Sequence, residues 1–395
     1  MRIVLHDYSG HPFPIQLSRA LAARGHEILH LYSTDFETPK GRLQTTGQDP
    51  SRLAIKGLSI GGLKKESLIK RRFQEKAFGR AVAREIESFS PDVVISGNAP
   101  LDTQTGVAAA ARRAGSAFVF WVQDLYGEAI DRILRRKLGV AGFAVGAWYK
   151  GLEYRLLRAS DAIVAISADF APILVGNGVP EERLAIVENW APLDEIPYRR
   201  AIACSGVSRA NATRFIYTGT LGYKHNPGLL LDVAVQLGEP LVVYSEGAVA
   251  RSLGRNAAKA GANLQVRNWL PFSELPDLLA SADVLMAIIE PDAGIFSVPS
   301  KVLTYFCAGR PILAAIPLEN LAARLIVREG AGLVSPPEDP AQFIENARRL
   351  AADAALRARM GAAGRSYAER AFDIGPLADR FEQIIDKALA RHRRA

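Results

Sequence analysis

DVLMAIIEPDAGIFSVPSKVLTYFCAGRPILAAIP (283–317) holds the signals that decide the fold. DVLMAIIE (283–290) and PILAAIP (311–317) are short, continuous apolar runs, the form taken by strands whose sheet is covered on both faces. Between them lies a segment with proline near its start and glycine after its end, so a helix joins the two strands. Pro299 suits the first helical turn, where its missing N–H is no loss, and Ser297 or Ser300 is placed to cap. Gly294 lets the backbone come close to an anion, and Lys301 adds a positive charge. A loop running from a strand into a helix start is an anion site in outline, because first-turn N–H groups lack partners and the helix dipole is positive there.

The same alternation fills the chain. Strand-like runs occur at 2–7, 26–33, 92–97, 117–124, 161–167 and 184–189, and again at 214–219, 240–247, 264–270, 283–290, 311–317 and 331–336. Helical periodicity separates them, which predicts an α/β fold of two doubly wound parallel sheets. NWAPLDEIPYRRAIACSGVSRANA (189–212) has proline, serine and charge without a sustained period and reads as a linker, with the domain boundary near residue 200. The expected domains are 1–200 and 201–372, followed by a helix over 373–395. That helix carries Leu377, Phe381, Ile384, Ile385 and Leu389 on one face and is expected to pack back on the first domain. Ligands of such sheets bind outside the carboxyl ends of the strands, and two domains facing each other suit a two-part substrate.

The 395 residues are 49% apolar and 23% charged, enough apolar material for packed cores. The two cysteines, Cys204 and Cys307, form no metal-spaced or disulfide pattern, which fits a reducing compartment. MRIVLHDYSG enters a strand-like run without a signal-peptide profile, so a cytoplasmic location is expected. The net charge of +8 is concentrated in KKESLIKRR (64–72), RILRRK (132–137) and RHRR (391–394). None of these is interleaved with aromatics, and no nucleic-acid motif accompanies them, so nucleic acid is not an expected partner.

Several chemistries are disfavoured. The first strand runs into DYSGHPF rather than GxGxxG, and GIFSVPSK (294–301) imitates the phosphate-loop spacing with Pro299 in place of its glycine. No DxD pair occurs to hold a divalent ion against a diphosphate, so neither a metal nor another cofactor is expected. What remains is phosphate binding by amides and lysines. In GTLGYKHNPGLLLDVA (219–234), Gly219 and Gly222 admit close approach and Lys224 stands at the rim of a turn before a helix. At the end of the first strand, SGHPF (9–13) offers Gly10 and His11. FWVQDLYGE (120–128) ends a strand in Asp124, readable as a group at the reacting centre or as a helix cap.

These pieces resemble the bacterial GT4-type glycosyltransferases of the two-Rossmann (GT-B) architecture, over nearly the whole chain. The resemblance rests on DYSGHPF with LSRALAARGHEI, on QDLYG, IVENWAPLDEI and YTGTLGYKHNPGLLL, and on the stretch from LPFSELPDLL to ILAAIP. The subgroup is the one that builds colanic-acid-like exopolysaccharide and O-antigen repeats. The resemblance implies a retaining, metal-independent transfer of a sugar from a nucleotide-sugar donor, a UDP- or GDP-sugar, to a lipid-linked glycan. Lys224 corresponds to the lysine that grips the donor diphosphate and assists departure of that group. Gly10, Gly219, Thr220, Gly294, Ser297, Ser300 and Lys301 belong to the same anion cradle. Glu246 and Gly247 fall at the nucleoside, His11 at the acceptor, and Asp124 near the first-domain residue proposed to act at the acceptor.

The chain departs from the family pattern. The two glutamates of E-x7-E fall at Phe296 and Thr304, leaving Thr304 with one short hydroxyl for the ribose. Glu290 or Asp292 is expected to supply the sugar-facing acid, and Thr220 stands near the place of an absent arginine. These losses motivate an alternative expectation, a nucleotide-sugar-binding subunit without catalysis. RRKLGVAGFAVGAWYKGLEYRLLR (135–158) joins an apolar run to basic flanks and carries Trp148, Tyr149 and Tyr154. It reads as a peripheral contact with the inner face of the plasma membrane, or as a buried helix pair.

Overall fold

The structure is a computed structural model that describes residues 1–35, 40–61, 68–199, 212–222, 225–289 and 298–394. It divides into two compact units, Met1–Glu188 with Ile374–Ala395, and Asn189–Asp373.

In the first unit, strands β1 (Arg2–Asp7), β2 (Glu27–Ser33), β3 (Leu53–Leu58), β4 (Val93–Gly97), β5 (Ala117–Val122), β6 (Ala162–Ala165) and β7 (Leu184–Ile186) form one sheet. Their order is β3-β2-β1-β4-β5-β6-β7, and neighbours pair in parallel. The helices are α1 (Pro12–Ala23), α2 (Leu68–Phe89), α3 (Leu101–Arg113), α4 (Tyr126–Ala159) and α5 (Phe170–Gly176). β1, β4 and β5 read as unbroken apolar runs because both faces are buried: Ile3, Val4, Leu5, Val93, Val94, Ile95, Val119 and Trp121 are all shielded from solvent.

The strand missing from the sequence reading is β3. LAIKGL buries only its end leucines and carries an exposed lysine and glycine, so it lacks the apolar signal of the inner strands. It sits at the sheet edge, where one neighbour suffices.

The second unit repeats the plan. Strands β8 (Phe215–Thr218), β9 (Leu241–Tyr244), β10 (Leu264–Arg267), β11 (Val284–Ile288), β12 (Ile312–Ala315) and β13 (Gly332–Ser335) are parallel, in the order β10-β9-β8-β11-β12-β13. Helices α6 (Gly228–Leu237), α7 (Ala248–Lys259), α8 (Leu275–Ala280) and α9 (Ser300–Ala308) follow in turn. After them come α10 (Leu321–Arg328), α11 (Pro340–Ala352) and α12 (Ala354–Ala371). Phe215, Tyr217, Leu229, Val243, Met286 and Phe343 meet in its core.

The contact boundary at 188/189 precedes the one read near 200 because residues 189–199 pack on the second unit. Trp190 and Ile196 are buried, Arg365 donates to the Ile196 carbonyl at 3.1 Å, and Arg310 donates to the Arg199 carbonyl at 3.0 Å. The last helix, α13 (Ile374–His392), buries Ala378, Phe381, Ile384, Ile385 and Ala388 in the first unit. Its Phe381 ring lies 4.8 Å from Trp121 of β5, and its Glu382 pairs with Arg24 and His26.

Candidate functional site

In a doubly wound sheet the strand order reverses direction at one point, and the crevice there is the natural ligand site. In the second unit this point lies between β8 and β11. β8 ends at Thr218, and Gly219 after it has a φ of 118°, in a region that side chains strain to adopt, while its N–H donates to the Tyr244 carbonyl at 3.1 Å. A Cβ added at Gly219 would stand 3.3 Å from the Lys301 Nζ.

Lys301 is the second residue of α9. Its stem keeps some surface while its amine is enclosed, 3.8 Å from the centroid of the Tyr217 ring. The amine has no hydrogen-bond partner among the described residues. Burial pushes it down to about 7, since desolvation penalises the charged form.

One turn further on, Tyr305 fastens α9 to the sheet. Thr218 N–H donates to its hydroxyl oxygen at 3.3 Å, and that hydroxyl donates to the Met286 carbonyl at 3.2 Å. The neighbouring Tyr217 hydroxyl donates to the Thr220 carbonyl at 2.8 Å and closes the turn after β8.

Pro299 is the residue before α9 rather than its first member, with an extended ψ of 105°, and among the described residues no side chain caps the helix. Ser300 therefore occupies the first helical position, exposed, and does not take the capping role read for it. A helix start with no cap among the described residues, and a buried amine beside it that lacks a partner among them, has the chemistry of an anion site.

The structure thus brings Gly219, Ser300 and Lys301 to one place. Thr220 is exposed and contributes its carbonyl to the turn, and Thr304 lies one helical turn beyond Ser300, partly exposed. Lys224, Gly294, Ser297, Glu290 and Asp292 lie outside the described residues. Past β9, Glu246 accepts a hydrogen bond from the Trp269 N–H at 3.2 Å, and Gly247, at a φ of 101°, precedes α7. The buried Ser245 hydroxyl and Trp269 indole N–H lack partners among the described residues, a feature no sequence spacing announces.

In the first unit the corresponding point lies between β1 and β4. Asp7, the last residue of β1, is buried and accepts from Asn98 Nδ2 at 2.8 Å and from the His11 N–H at 2.5 Å. Burial pushes its carboxyl up, opposed by His11 and those hydrogen bonds. Gly10 adopts a φ of 73°, and its N–H donates to the Asp7 carbonyl at 3.2 Å while its own carbonyl accepts from Gly41 at 2.9 Å. A Cβ there would stand 2.8 Å from Leu43, so the Gly10 peptide is engaged and covered rather than open to a diphosphate. His11 is partly exposed and stacks on Phe13 at 5.8 Å.

Asp124 precedes α4, whose capping position is Leu125, without a side-chain cap. From the other end of that helix Glu153 accepts the Gly127 N–H at 2.9 Å and is pushed up to about 8, by burial first and then by the nearby Glu128 and Asp124 charges. The Tyr126 phenol is raised well above its ordinary range, by burial and then by Asp124, Asp7 and Glu153. The charges of three carboxyl groups therefore bear on one phenol. Sequence reading found Asp124 alone; Asp7 was legible as the polar end of an apolar strand, and Glu153 only through the folding of α4.

That folding is a hairpin. Gly139, at φ 53° and ψ −127°, breaks α4 in two, and the halves meet where Glu128 pairs with Lys150 at 2.8 Å and accepts from the Tyr154 hydroxyl at 2.7 Å. Around its tip Ile133, Val140, Phe143, Val145 and Trp148 are exposed, with Val140 at 89%. Phe73 of α2 is 69% exposed, and the Arg72 guanidinium beside it lies 4.6 Å over Trp148. Within this segment Tyr154 is buried, Tyr149 donates to Asp102, and Trp148 is exposed. Among the described residues no helix is long and apolar enough to cross a membrane, and no three His, Cys, Asp or Glu side chains gather as a metal site.

Residues 14–195 match the model of Glycosyltransferase Family 4, and residues 212–353 that of Glycosyl transferases group 1. The chain is 26% identical over 210 residues to the probable glycosyltransferase WbjE of Pseudomonas aeruginosa, a match spanning 48% of this chain and about half, 51%, of that relative. Its fold is similar to sucrose-phosphate synthase from Thermosynechococcus elongatus, with a TM-score of 0.73, 14% identity and 99% of each chain covered. It is also similar to Anabaena HepE in complex with UDP-glucose, with a TM-score of 0.66, 13% identity, and 98% of this chain and 99% of that one covered.

Proposed function

The chain belongs to the GT4-type bacterial glycosyltransferases and is an enzyme of that class, and we propose that it transfers a sugar from a nucleotide-sugar donor to a membrane-presented, polyprenyl-diphosphate-linked glycan, in exopolysaccharide or O-antigen synthesis. The observation that carries the donor half is the start of α9 at the β8–β11 crevice, with no cap and no partner for the Lys301 amine among the described residues. A sugar nucleotide already has a good leaving group, so the catalytic task is to stabilise charge growing on the departing diphosphate. Amides of the α9 start, Lys301 and Lys224 serve that task, without a metal ion. The nucleoside extends toward Glu246 and Gly247, with Thr304 at the ribose and Glu290 or Asp292 at the sugar. The HepE complex with UDP-glucose favours a uridine donor.

In the first unit Asp124 and His11 meet the acceptor, with Asp7 orienting the His11 peptide. The acceptor hydroxyl attacks on the face the diphosphate leaves, so configuration is retained, and fixed positions for both reactants lower the barrier. The acceptor's lipid anchor agrees with the exposed apolar tip of α4, flanked by Arg72, Arg135 and Arg136. Such a surface lies in the headgroup region of the inner leaflet without spanning it.

The test is thermal stabilisation by UDP, GDP and their sugars in the absence of magnesium. One nucleotide series raises the melting temperature, and Lys224→Ala reduces the shift. An unchanged shift in that variant removes Lys224 from the diphosphate, and no shift with any nucleotide removes the donor site from α9.

A further inference from the structure

We infer that donor binding is coupled to protonation of Lys301: above neutral pH its amine is largely uncharged before the diphosphate arrives and takes a proton from solvent as the anion settles at the start of α9. The inference rests on the donor reading above and adds what this side chain does there.

The geometry is unusual for a lysine. The stem runs back from the first turn of α9 and places the amine beneath the Gly219 turn, against the face of Tyr217, rather than out in water. No acceptor among the described residues reaches it. Among the described residues the titratable groups facing it are phenols, Tyr217 from β8 and Tyr305 from α9. Burial raises both above the ordinary tyrosine range, so both are neutral and neither lends the amine a negative charge. The ring face attracts a cation, but more weakly than the hydration that burial removes. The unaided balance leaves the amine near 7.

A diphosphate at the adjoining helix start changes that balance. An opposite charge within a few ångströms raises the proton affinity of such an amine by about 1 to 3 pH units. At about pH 8 the amine then goes from about one tenth protonated to between one half and nearly fully protonated, an uptake of roughly 0.4 to 0.9 proton per donor bound. At about pH 6 it is already charged and uptake falls to roughly 0.1. Donor affinity therefore weakens with rising pH above 7, by up to about tenfold per unit until the pKa of the bound state is passed.

The experiment is calorimetric titration of the full chain with UDP-glucose, and in parallel with GDP-mannose, in buffers of different ionisation heat at about pH 8 and pH 6. Both probes carry a diphosphate diester that does not titrate in this range. The expected result is a binding heat that varies with buffer at the higher pH, corresponding to roughly 0.4 to 0.9 proton, and hardly varies at the lower. Lys301→Arg, permanently charged, binds without buffer dependence, and Lys301→Met binds more weakly and also without it. Circular dichroism checks the fold of each variant, and the wild-type pH comparison stands alone if Lys301→Met is unfolded. Donor binding with the same heat in every buffer overturns the proton coupling and leaves the donor site standing. Uptake that persists in folded Lys301→Met assigns the proton elsewhere and overturns it too. Absence of binding by either nucleotide overturns the coupling and the donor reading together.

Discussion

At Gly219 two constraints coincide, a φ of 118° and an amine 3.3 Å from where a Cβ would stand. Gly219→Ala strains the turn by about 1–3 kcal/mol and displaces Lys301 from the Tyr217 ring. We expect a lower melting temperature together with weaker nucleotide binding, read by thermal unfolding with and without UDP; a variant that keeps both places the turn away from the donor. Tyr305→Phe removes the hydroxyl that joins α9 to the ends of β8 and β11. The expected cost is about 1–3 kcal/mol in denaturant unfolding, because the Thr218 N–H and Met286 carbonyl each lose a partner. Sequence reading named Lys301 for its charge and the loop after β11 for its position. It had no means of showing that the side chain turns inward, since that depends on Tyr217, more than eighty residues earlier in the chain.

At the scale of elements, α4 was legible as an apolar run between basic flanks, but its division at Gly139 was not. A lone glycine in a helical pattern is usually tolerated, and only the pairing of Glu128 with Lys150 and Tyr154 shows two helices lying side by side. Val140 and Phe143 at its tip contribute little to the core, being 89% and 49% exposed. Val140→Ser with Phe143→Ser should leave the melting temperature nearly unchanged and weaken binding to vesicles containing anionic lipid roughly tenfold or more, measured by co-sedimentation. Equal binding by the double variant would remove the hairpin tip from the membrane. β3 escaped for the opposite reason: an edge strand needs little apolar surface, so little pattern marked it.

At the scale of the whole molecule, the first unit encloses two histidines that nothing in the sequence distinguishes from surface ones. His6 bonds Ser96 at 2.8 Å and His30 bonds Ser18 at 2.9 Å, and burial pushes each down from 6.5 to about 3. A base whose folded pKa lies below its unfolded value binds fewer protons when folded. Its contribution to stability is complete above 6.5 and is lost as pH falls toward 3, at about 1.4 kcal/mol per pH unit for each histidine. Glu153, raised from 4.5 to about 8, has the opposite sign: its contribution declines as pH rises through that window. A comparison with His30→Gln isolates one histidine. We expect the stability gap between wild type and variant to move in the variant's favour by about 1.4 kcal/mol per unit as pH falls below 6.5, measured by urea unfolding. A gap independent of pH would mean that His30 is not held neutral.

The alternation of apolar runs and helical segments is a local property, since burying a parallel strand on both faces imposes its pattern on the residues of that strand alone. Two doubly wound sheets, the loops at their strand ends and the glycines at 219 and 247 could therefore be read along the chain. The environment of an ionisable group is not local. Lys301 beneath the Gly219 turn, Glu153 at the start of its own helix, and Asp7 beside Asn98 each depend on atoms from distant parts of the chain. Desolvation, which moves their proton affinities, is set by how completely those atoms exclude water, and this becomes defined only when the sheets and helices have packed.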